Sequence, residues 1–445
     1  AAAPDLVERR AGLLFGVAPT KPAATPKQER LERTHWGVGP AYESAKAFVR
    51  ESFGRCGSPV VASGTPIGIP RALTTHSLFP LYSTFFAGIG MEAVLSDVDP
   101  RGDLTSYSGF CFPAQIAHGA VLDLAQKGVR LVFIPHVVRM PHPNQCRDSY
   151  LCPITQAEPY ILAKAFPDCR VLSPVLEFTD GYESCPALID MAVEELGIAR
   201  TVASDAWAEA VRAQTEAERA IRQMGMRALD EAVAIGKAAI LLAGHSYNAF
   251  TPDASQSVGK KLSSMGVTVI PADSLMPAEE GPTSWHFANQ ILNAVGIAKR
   301  HPNLFLLSVS NFSCTIDAFT HSMLAAELGS KPYLVLEIDA HTADAGVQTR
   351  LEAFLDIIQN YRQAQTGLTP RFEPCRLVSG GRVLRSTGES VPLTDPRVKV
   401  YFPNFSQYHT QAFSLAAGWL GFHPGAVIPL DRTQLDTGLQ YTSGR

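Results

Sequence analysis

The chain has 445 residues, of which 46% are hydrophobic and 18% charged, and its formal net charge at pH 7 is −4. This length predicts two or three domains, each with ample apolar surface to bury. The small negative charge and the lack of a Lys/Arg-rich stripe give no reason to expect nucleic-acid binding, and no apolar run reaches the roughly 18 residues that a transmembrane helix needs.

Eight cysteines are spread between positions 56 and 375. Small secreted disulfide scaffolds are much denser in cysteine, so the spacing favours a reduced, cytoplasmic protein. No CxxC pair occurs in the sequence, which excludes zinc ribbons and ferredoxin-type clusters held by a local run of cysteines.

One pattern of strand, loop, helix, Gly and strand occurs three times, at residues 65–97, 238–273 and 398–430. Such βαβ units predict parallel sheets with right-handed crossovers. The sequence therefore predicts an α/β protein of repeated, Rossmann-like parallel-sheet domains joined by a helical segment. The predicted parts are an N-terminal arm (1–57), a first α/β domain (58–185), a helical bridge (186–235), a second α/β domain (236–395) and a further α/β unit or a strand returning to the first domain (396–445).

Three cysteines, Cys111, Cys152 and Cys314, lie where an apolar strand gives way to the next element. Open α/β sheets collect ligands beyond the carboxyl ends of their strands, and all three thiols are predicted at such ends. Cys111 and Cys314 each precede a helix, and a helix N-terminus lowers the pKa of a thiol. Three thiolates from separate loops are the ligand set of an iron–sulfur cluster with one differentiated iron.

Three further residues are secondary candidates for this site. Cys146 lies in the polar loop before Cys152, and Cys185 precedes a helix. His118 falls on the same helical face as Cys111, although an ordinary helix histidine is the competing interpretation.

Two other groups of residues offer different chemistry. Asp339, His341 and Asp344 lie between a strand and a helix and could bind a hard metal, but a polar turn is the favoured interpretation. Arg350, one turn into that helix, could orient a phosphate or carboxylate. Ser246 follows a strand as in a nucleophile elbow, yet the second Gly of that motif is missing.

Five motifs resemble, in the right order, the 2-hydroxyacyl-CoA dehydratase and benzoyl-CoA reductase superfamily: GIPRAL, CFPAQIAHG, LCPITQAEP, SNFSCTIDAF and EIDAHTADAGVQTRLEAF. The resemblance covers about residues 60–445 and is strongest to the acyl-CoA dehydratase activase-related proteins, which are 2-hydroxyglutaryl-CoA dehydratase-like. The chain departs from the family at Ser313 and Thr315, where glycines flank the family's cysteine, and at Ala120, where a second His is common.

The resemblance implies a [4Fe–4S] or double-cubane cluster held by Cys111, Cys152 and Cys314. It implies that an ATP-hydrolysing activase, separate or fused, supplies low-potential electrons for chemistry on a (2-hydroxy)acyl-CoA thioester. The sequence has no GxxxxGK[ST] motif, so we expect ATP to be hydrolysed by that partner. We also expect a homo- or heterodimer without nucleic-acid or membrane partners. Residues expected to surround the cluster or substrate are His118, Asp317, His341 and Arg350.

Two alternative functions remain open from the sequence. One is a non-catalytic electron relay or scaffold domain of a larger activase fusion. The other is an α/β hydrolase that uses Ser246 or the group of Asp339, His341 and Asp344. Residues 398–445 repeat the start of the first unit, so a further cysteine loop is expected to lie beyond Arg445.

Overall fold

The computed structural model describes residues 3–16, 64–99, 102, 111–141, 149–275, 282–364, 375–385, 388–402 and 406–425. The chain forms two compact units, Ala1–Tyr361 and Arg362–Arg445. None of the helices in the described ranges combines the length and the apolar character that a membrane span requires.

The first unit contains two four-stranded parallel sheets. Its strands are β1 (Pro66–Ile69), β2 (Glu92–Leu95), β3 (Leu131–Phe133), β4 (His136–Arg139), β5 (Arg170–Leu172), β6 (Val175–Glu177), β7 (Ala239–Ala243), β8 (Thr268–Pro271), β9 (Leu304–Ser310) and β10 (Tyr333–Glu337). The strand orders are β2-β1-β3-β5 and β10-β9-β7-β8, and β4 pairs in parallel with β6. The predicted α/β class with parallel sheets is confirmed.

Helices connect these strands and cover both faces of the sheets. They are α1 (Leu6–Phe15), α2 (Thr75–Gly88), α3 (Phe112–Gln126), α4 (Pro153–Ala165), α5 (Ala187–Leu196), α6 (Arg200–Ile235), α7 (Ser246–Ala249), α8 (Pro252–Ser255), α9 (Val258–Ser264), α10 (His286–Arg300), α11 (Thr315–Leu328) and α12 (Asp344–Ala364). Every residue of β7 and β9 is buried, as expected for strands covered on two faces.

Helix α6 is shared by the cores of the two sheets. Its first half contributes Trp207 and Val211 to the core of the first sheet, and its second half contributes Met224 and Leu229 to that of the second. Residues 186–235, predicted as a helical bridge, thus consist of α5 and α6. Within the predicted N-terminal arm, α1 packs Leu6 and Val7 against the second sheet, and residues 17–57 lie outside the described ranges.

A close approach between α6 and the turn after β8 depends on Gly225. A Cβ at this position would lie 2.5 Å from the carbonyl oxygen of Ser274, which is backbone and cannot move aside. We expect Gly225→Ala to lower the free energy of unfolding by about 2 kcal/mol, as overpacked positions do. Gly296→Ala on α10 is the matched control: its Cβ would meet Arg300 at 3.7 Å, and removing a helical Gly should stabilise by up to about 1 kcal/mol. Urea unfolding of both variants checks this, and equal midpoints would contradict it.

The three predicted βαβ repeats differ in how well they form. The first runs from β1 through α2 to β2, as expected. In the second, the predicted single helix between β7 and β8 is broken into α7, α8 and α9, because Gln256 and Ser257 adopt left-handed backbone angles between the last two. The glycines expected at the three helix ends, Gly90, Gly266 and Gly421, have φ values of 81°, 82° and 83°.

The described part of the second unit contains an antiparallel sheet and a helix that follows it. The sheet consists of β11 (Arg376–Val378), β12 (Arg382–Leu384) and β13 (Ser390–Pro392), in that order. Helix α13 (Gln407–Trp419) lies between Val400 and Pro424, which form a parallel bridge. This is the third repeat in its described part; residues 426–445, where a further cysteine loop was expected to begin, lie outside the described ranges.

Candidate functional site

The strand order of the second sheet creates a crevice between β7 and β9. From β7 the chain crosses to β8 on one side and then returns to β9 on the other, and ligands bind at such switch points beyond the carboxyl ends of the strands. His245 follows β7, and Cys314 and Asp317 follow β9. Gly244 permits the turn, because a Cβ there would clash with the carbonyl oxygen of Val309.

Buried side chains form a hydrogen-bond network at this crevice. His245 Nε2 lies 3.0 Å from Asp317 Oδ1, and Ser310 Oγ donates to Asp317 Oδ2 at 2.5 Å. On the other side of the ring, His245 Nδ1 lies 2.7 Å from the Tyr247 hydroxyl, which lies 3.3 Å from the Thr155 hydroxyl. The network therefore runs from the second sheet to α4 beside the first sheet.

Burial and the contacts with neighbouring residues have opposite effects on the pKa of Asp317, and the contacts dominate. Burial raises the pKa of Asp317, but the charge of His245 and the hydrogen bonds from His245 and Ser310 lower it from 3.8 to about 2, with a further contribution from His321. Asp317 is therefore a carboxylate at neutral pH although only 1% of its surface is exposed.

The three predicted cysteines occupy equivalent positions in three different helices. Cys111, Cys152 and Cys314 are the N-cap residues of α3, α4 and α11, and all three are half-buried free thiols. Proline follows within two residues of Cys111 and directly after Cys152, where its missing N–H is not needed by the helix. The sequence thus folds each thiol onto the positive end of a helix.

The thiol pKa values nevertheless move in the direction opposite to the sequence prediction. Burial raises the pKa of Cys111 to about 12 and also raises those of Cys152 and Cys314, more than the nearby backbone amides lower them. Burial outweighs the helix termini because desolvation penalises a charged sulfur. A bound cation would reverse this balance, since metal ligation stabilises the thiolate.

All three thiols act electrostatically on one hydroxyl group, that of Tyr247. Burial raises the pKa of Tyr247 well above its usual value, and Cys152, Cys314 and Cys111 each raise it further. The charge of Cys152 also acts on both Cys111 and Cys314. Because such effects weaken with distance, the three cysteines lie in the same region of the first unit.

Cys314 also belongs to a compact group of different donors. Its sulfur, one nitrogen of His245 and one carboxylate oxygen of Asp317 all lie within 4.8 Å of one another. A thiolate, an imidazole and a carboxylate are all common ligands of transition metals. The donor atoms of Cys314, His245 and Asp317 are therefore of the right kind, and close enough together, to bind one metal ion.

His118 lies behind Cys111 in a buried pair with Glu158. His118 Nε2 is 3.4 Å from Glu158 Oε1, and both side chains are almost completely buried between α3 and α4. Glu158 raises the pKa of Cys111, so this pair adjoins the three-thiol site. The helical spacing of His118 from Cys111 allowed this approach, although an ordinary helix histidine was the favoured interpretation, and Glu158 was not singled out.

The other candidates have different surroundings. Cys185 is buried in the apolar core of the first sheet, and Cys146 lies outside the described ranges. The exposed His341 forms part of a polar turn, in which its amide donates to Asp339 Oδ1 at 2.9 Å. Arg350 donates to the carbonyl oxygen of Val335 at 3.1 Å.

The contacts of Ser246 do not support a hydrolase. Its hydroxyl accepts a hydrogen bond from Ser77 Oγ at 2.8 Å. The adjacent His245 has both ring nitrogens engaged, with Asp317 and with Tyr247, so this imidazole is not placed to activate the serine.

Sequence reasoning missed Tyr247 and His245 as site residues. Both lie in the GHSYN segment, which was considered only as a possible nucleophile elbow. The available signal was their position directly after β7, the counterpart of Cys314 after β9. The pairing of β7 with β9, which brings the histidine beside the cysteine, could not be read from that position alone.

Comparison with known families adds one finding. Residues 66–275 match the family model of the CoA enzyme activase uncharacterised domain. The matched segment contains Cys111, Cys152, His245 and Tyr247 but ends before Cys314. It supports, at a coarse level, a relation to the acyl-CoA dehydratase activase-related proteins.

A comparison with curated proteins found no match. One similar solved structure is a protein from Salmonella typhimurium LT2 described as sugar binding, with 11% identity, 80% of this chain and 98% of that chain covered, and a TM-score of 0.18. Another is a Mn-bound periplasmic metal binding protein from candidatus liberibacter asiaticus, with 12% identity, coverage of 66% and 99%, and a TM-score of 0.21. A third is the C-terminal domain of glucosamine-fructose-6-phosphate aminotransferase from Francisella tularensis, with 11% identity, coverage of 80% and 92%, and a TM-score of 0.19. With such low TM-scores they carry no argument about function.

Proposed function

We propose that the chain is the iron–sulfur component of an ATP-driven reductase or dehydratase system that acts on acyl-CoA thioesters, including 2-hydroxyacyl-CoA thioesters. In this proposal Cys111, Cys152 and Cys314 hold a [4Fe–4S] or double-cubane cluster. An ATP-hydrolysing activase, separate or fused, delivers the electrons. The match of residues 66–275 to a CoA enzyme activase domain supports this assignment.

The observation that carries the proposal is that three free thiols, each the N-cap residue of a helix, lie in the same region of the first unit and all raise the pKa of Tyr247. Thiolates are the usual protein ligands of iron–sulfur clusters, and three of them leave one iron of a cubane without a cysteine. When bound, such a cluster supplies one-electron reduction. The residues of this chain supply three half-buried thiols and hydrogen-bonding groups such as His245 and Tyr247.

Anaerobic purification and reconstitution test the proposal. We expect iron and acid-labile sulfide in equal amounts, about four of each per chain for a [4Fe–4S] cluster and about twice that for a double cubane. Reduction should produce an electron paramagnetic resonance signal. A chain that binds no iron above the level of a variant lacking Cys111, Cys152 and Cys314 would contradict the proposal.

A second candidate is a site for a single divalent ion, favoured by the closeness of Cys314, His245 and Asp317. The same analysis separates the two, because a single ion brings no acid-labile sulfide. An assay with activase, ATP and an acyl-CoA distinguishes the proposed catalytic component from a non-catalytic electron relay. A relay would accept electrons but consume no thioester.

A further inference from the structure

The first sheet has a switch point of its own, between β1 and β3. From β1 the chain passes through α2 to β2 on one side, and it later returns through α3 to β3 on the other side of β1. Open α/β sheets bind ligands at such points, in the crevice beyond the carboxyl ends of the strands. A ligand site is therefore expected at this end of the first sheet as well.

A cavity of about 20 Å³ lies at this switch point. Pro70 directly after β1 and Pro135 shortly after β3 line it from the strand ends, and Ala117 lines it from α3. A cavity needs about 10 to 15 Å³ to hold a water molecule, so this one has room for a single water. Its described lining residues include no charged side chain, which argues against an ion as the occupant.

Three threonines provide the polar side chains of this cavity. Thr74 and Thr75 lie at the start of α2, and Thr155 lies in the first turn of α4. Only 4% to 6% of the surface of each residue is exposed. A hydroxyl group can both donate and accept hydrogen bonds, and a buried water has two to four such partners. The cavity therefore combines the size and the polar groups that a buried water requires.

The hydrogen bonds of these threonines leave room for a further partner. The Thr74 hydroxyl accepts a bond from the Tyr82 hydroxyl at 3.3 Å, so its own hydrogen remains available for donation. The Thr75 hydroxyl has no hydrogen-bond partner in the part of the chain that the structure describes. A buried hydroxyl without a partner costs free energy, and a water molecule in the cavity would remove this cost.

We propose that this cavity binds one water molecule through the hydroxyl groups of Thr74, Thr75 and Thr155. Thr155 also lies 3.3 Å from the Tyr247 hydroxyl, which lies 2.7 Å from His245 Nδ1. The water therefore extends the hydrogen-bond network of the crevice between β7 and β9 as far as the switch point of the first sheet. Hydrogen bonds then join the carboxyl ends of the two sheets.

Water oxygen-17 magnetic relaxation dispersion of the full chain tests this, because it counts buried waters that exchange slowly with the solvent. A double variant, Thr75→Val with Thr155→Val, keeps the shape of both side chains but leaves one hydroxyl, fewer than the two partners that a buried water needs. We expect this variant to hold one long-lived water fewer than the unsubstituted chain. Serine at the same two positions keeps both hydroxyls and should keep the water.

Thr320→Val is the matched control for the valine variant. Thr320 is buried as well, but its hydroxyl donates to the carbonyl oxygen of Ile316 within α11 at 2.9 Å. This substitution should leave the number of long-lived waters unchanged. The same number of waters in the folded double valine variant as in the unsubstituted chain would overturn the inference.

A crystal structure of the unsubstituted chain is a second test, and it requires no substitution. We expect an ordered water within hydrogen-bond distance of the Thr75 and Thr155 hydroxyls. Density that shows other buried waters but none in this cavity would overturn the inference. Neither test involves iron, so its result is independent of the proposed function.

Discussion

Each of the variants Cys111→Ala, Cys152→Ala and Cys314→Ala is expected to lose most of its iron after anaerobic reconstitution. A cubane held by three cysteines already has one iron without a cysteine ligand. Removal of another cysteine leaves only two ligands, which come from separate helices. The loss should be seen in iron and sulfide analysis and in the visible absorption of the reconstituted protein. The fold should survive, because these side chains are only half-buried and small.

Two other cysteines provide matched controls for this experiment. Cys169 is buried against the core of the first sheet, and Cys375 is exposed in the second unit. Alanine at either position should leave the iron content unchanged. If all three site variants kept full iron while the controls behaved identically, the cysteine site would be ruled out as the ligand set.

The positions of Cys111 and Cys314 at the start of a helix could be predicted, because a turn-like segment precedes each cysteine and an apolar helical pattern follows it. The placement of Cys111 at the carboxyl end of a strand stays a prediction, since residues 103–110 lie outside the described ranges. The thiol pKa values were not predictable in the same way. They depend on how deeply α3, α4 and α11 bury their first residues, and burial raises the pKa of Cys111 to about 12 despite the helix terminus.

The hydrogen-bond network was out of reach of sequence reasoning for a different reason. His245 and Asp317 are 72 positions apart, and Tyr247 and Thr155 are 92 apart. Their contacts follow from the strand order of the second sheet and from the placement of α4 beside it. Local pattern specifies neither of these.

Ser313, where the sequence differs from the family that it resembles, has an unusual backbone conformation. Ser313 has a φ of 69°, in the left-handed region that a glycine adopts without strain. A glycine, which the family that the sequence resembles has at this position, would adopt this conformation without strain.

Asp317→Ala is expected to cause the largest loss of stability among single substitutions at the site. The change leaves His245 and Ser310 without their buried partner, and removing one member of a buried, hydrogen-bonded ion pair costs about 3 to 5 kcal/mol. Asp317→Asn should cost less, because the amide can still bond to one of the two. Urea unfolding of the first unit, monitored by circular dichroism, measures both.

The pH dependence of the same contact has a definite sign. The pKa of Asp317 is lowered from 3.8 to about 2 by folding, so the folded state binds fewer protons and the contribution is fully present above pH 4. This contribution of the Asp317 carboxylate to the free energy of unfolding amounts to about 2 kcal/mol. It should be lost as the pH falls from about 4 towards 2.

Glu327→Ala is the matched control for both measurements, because Glu327 forms an exposed ion pair with Lys299 at 3.2 Å. Such a surface pair contributes less than about 1 kcal/mol. The two alanine variants should differ less in their free energy of unfolding at pH 2 than at pH 5. At low pH the Asp317 carboxylate of the unsubstituted chain becomes protonated, so its removal costs less. Equal unfolding midpoints for Asp317→Ala and Glu327→Ala at pH 7 would mean that the His245–Asp317 contact does not organise the crevice between β7 and β9.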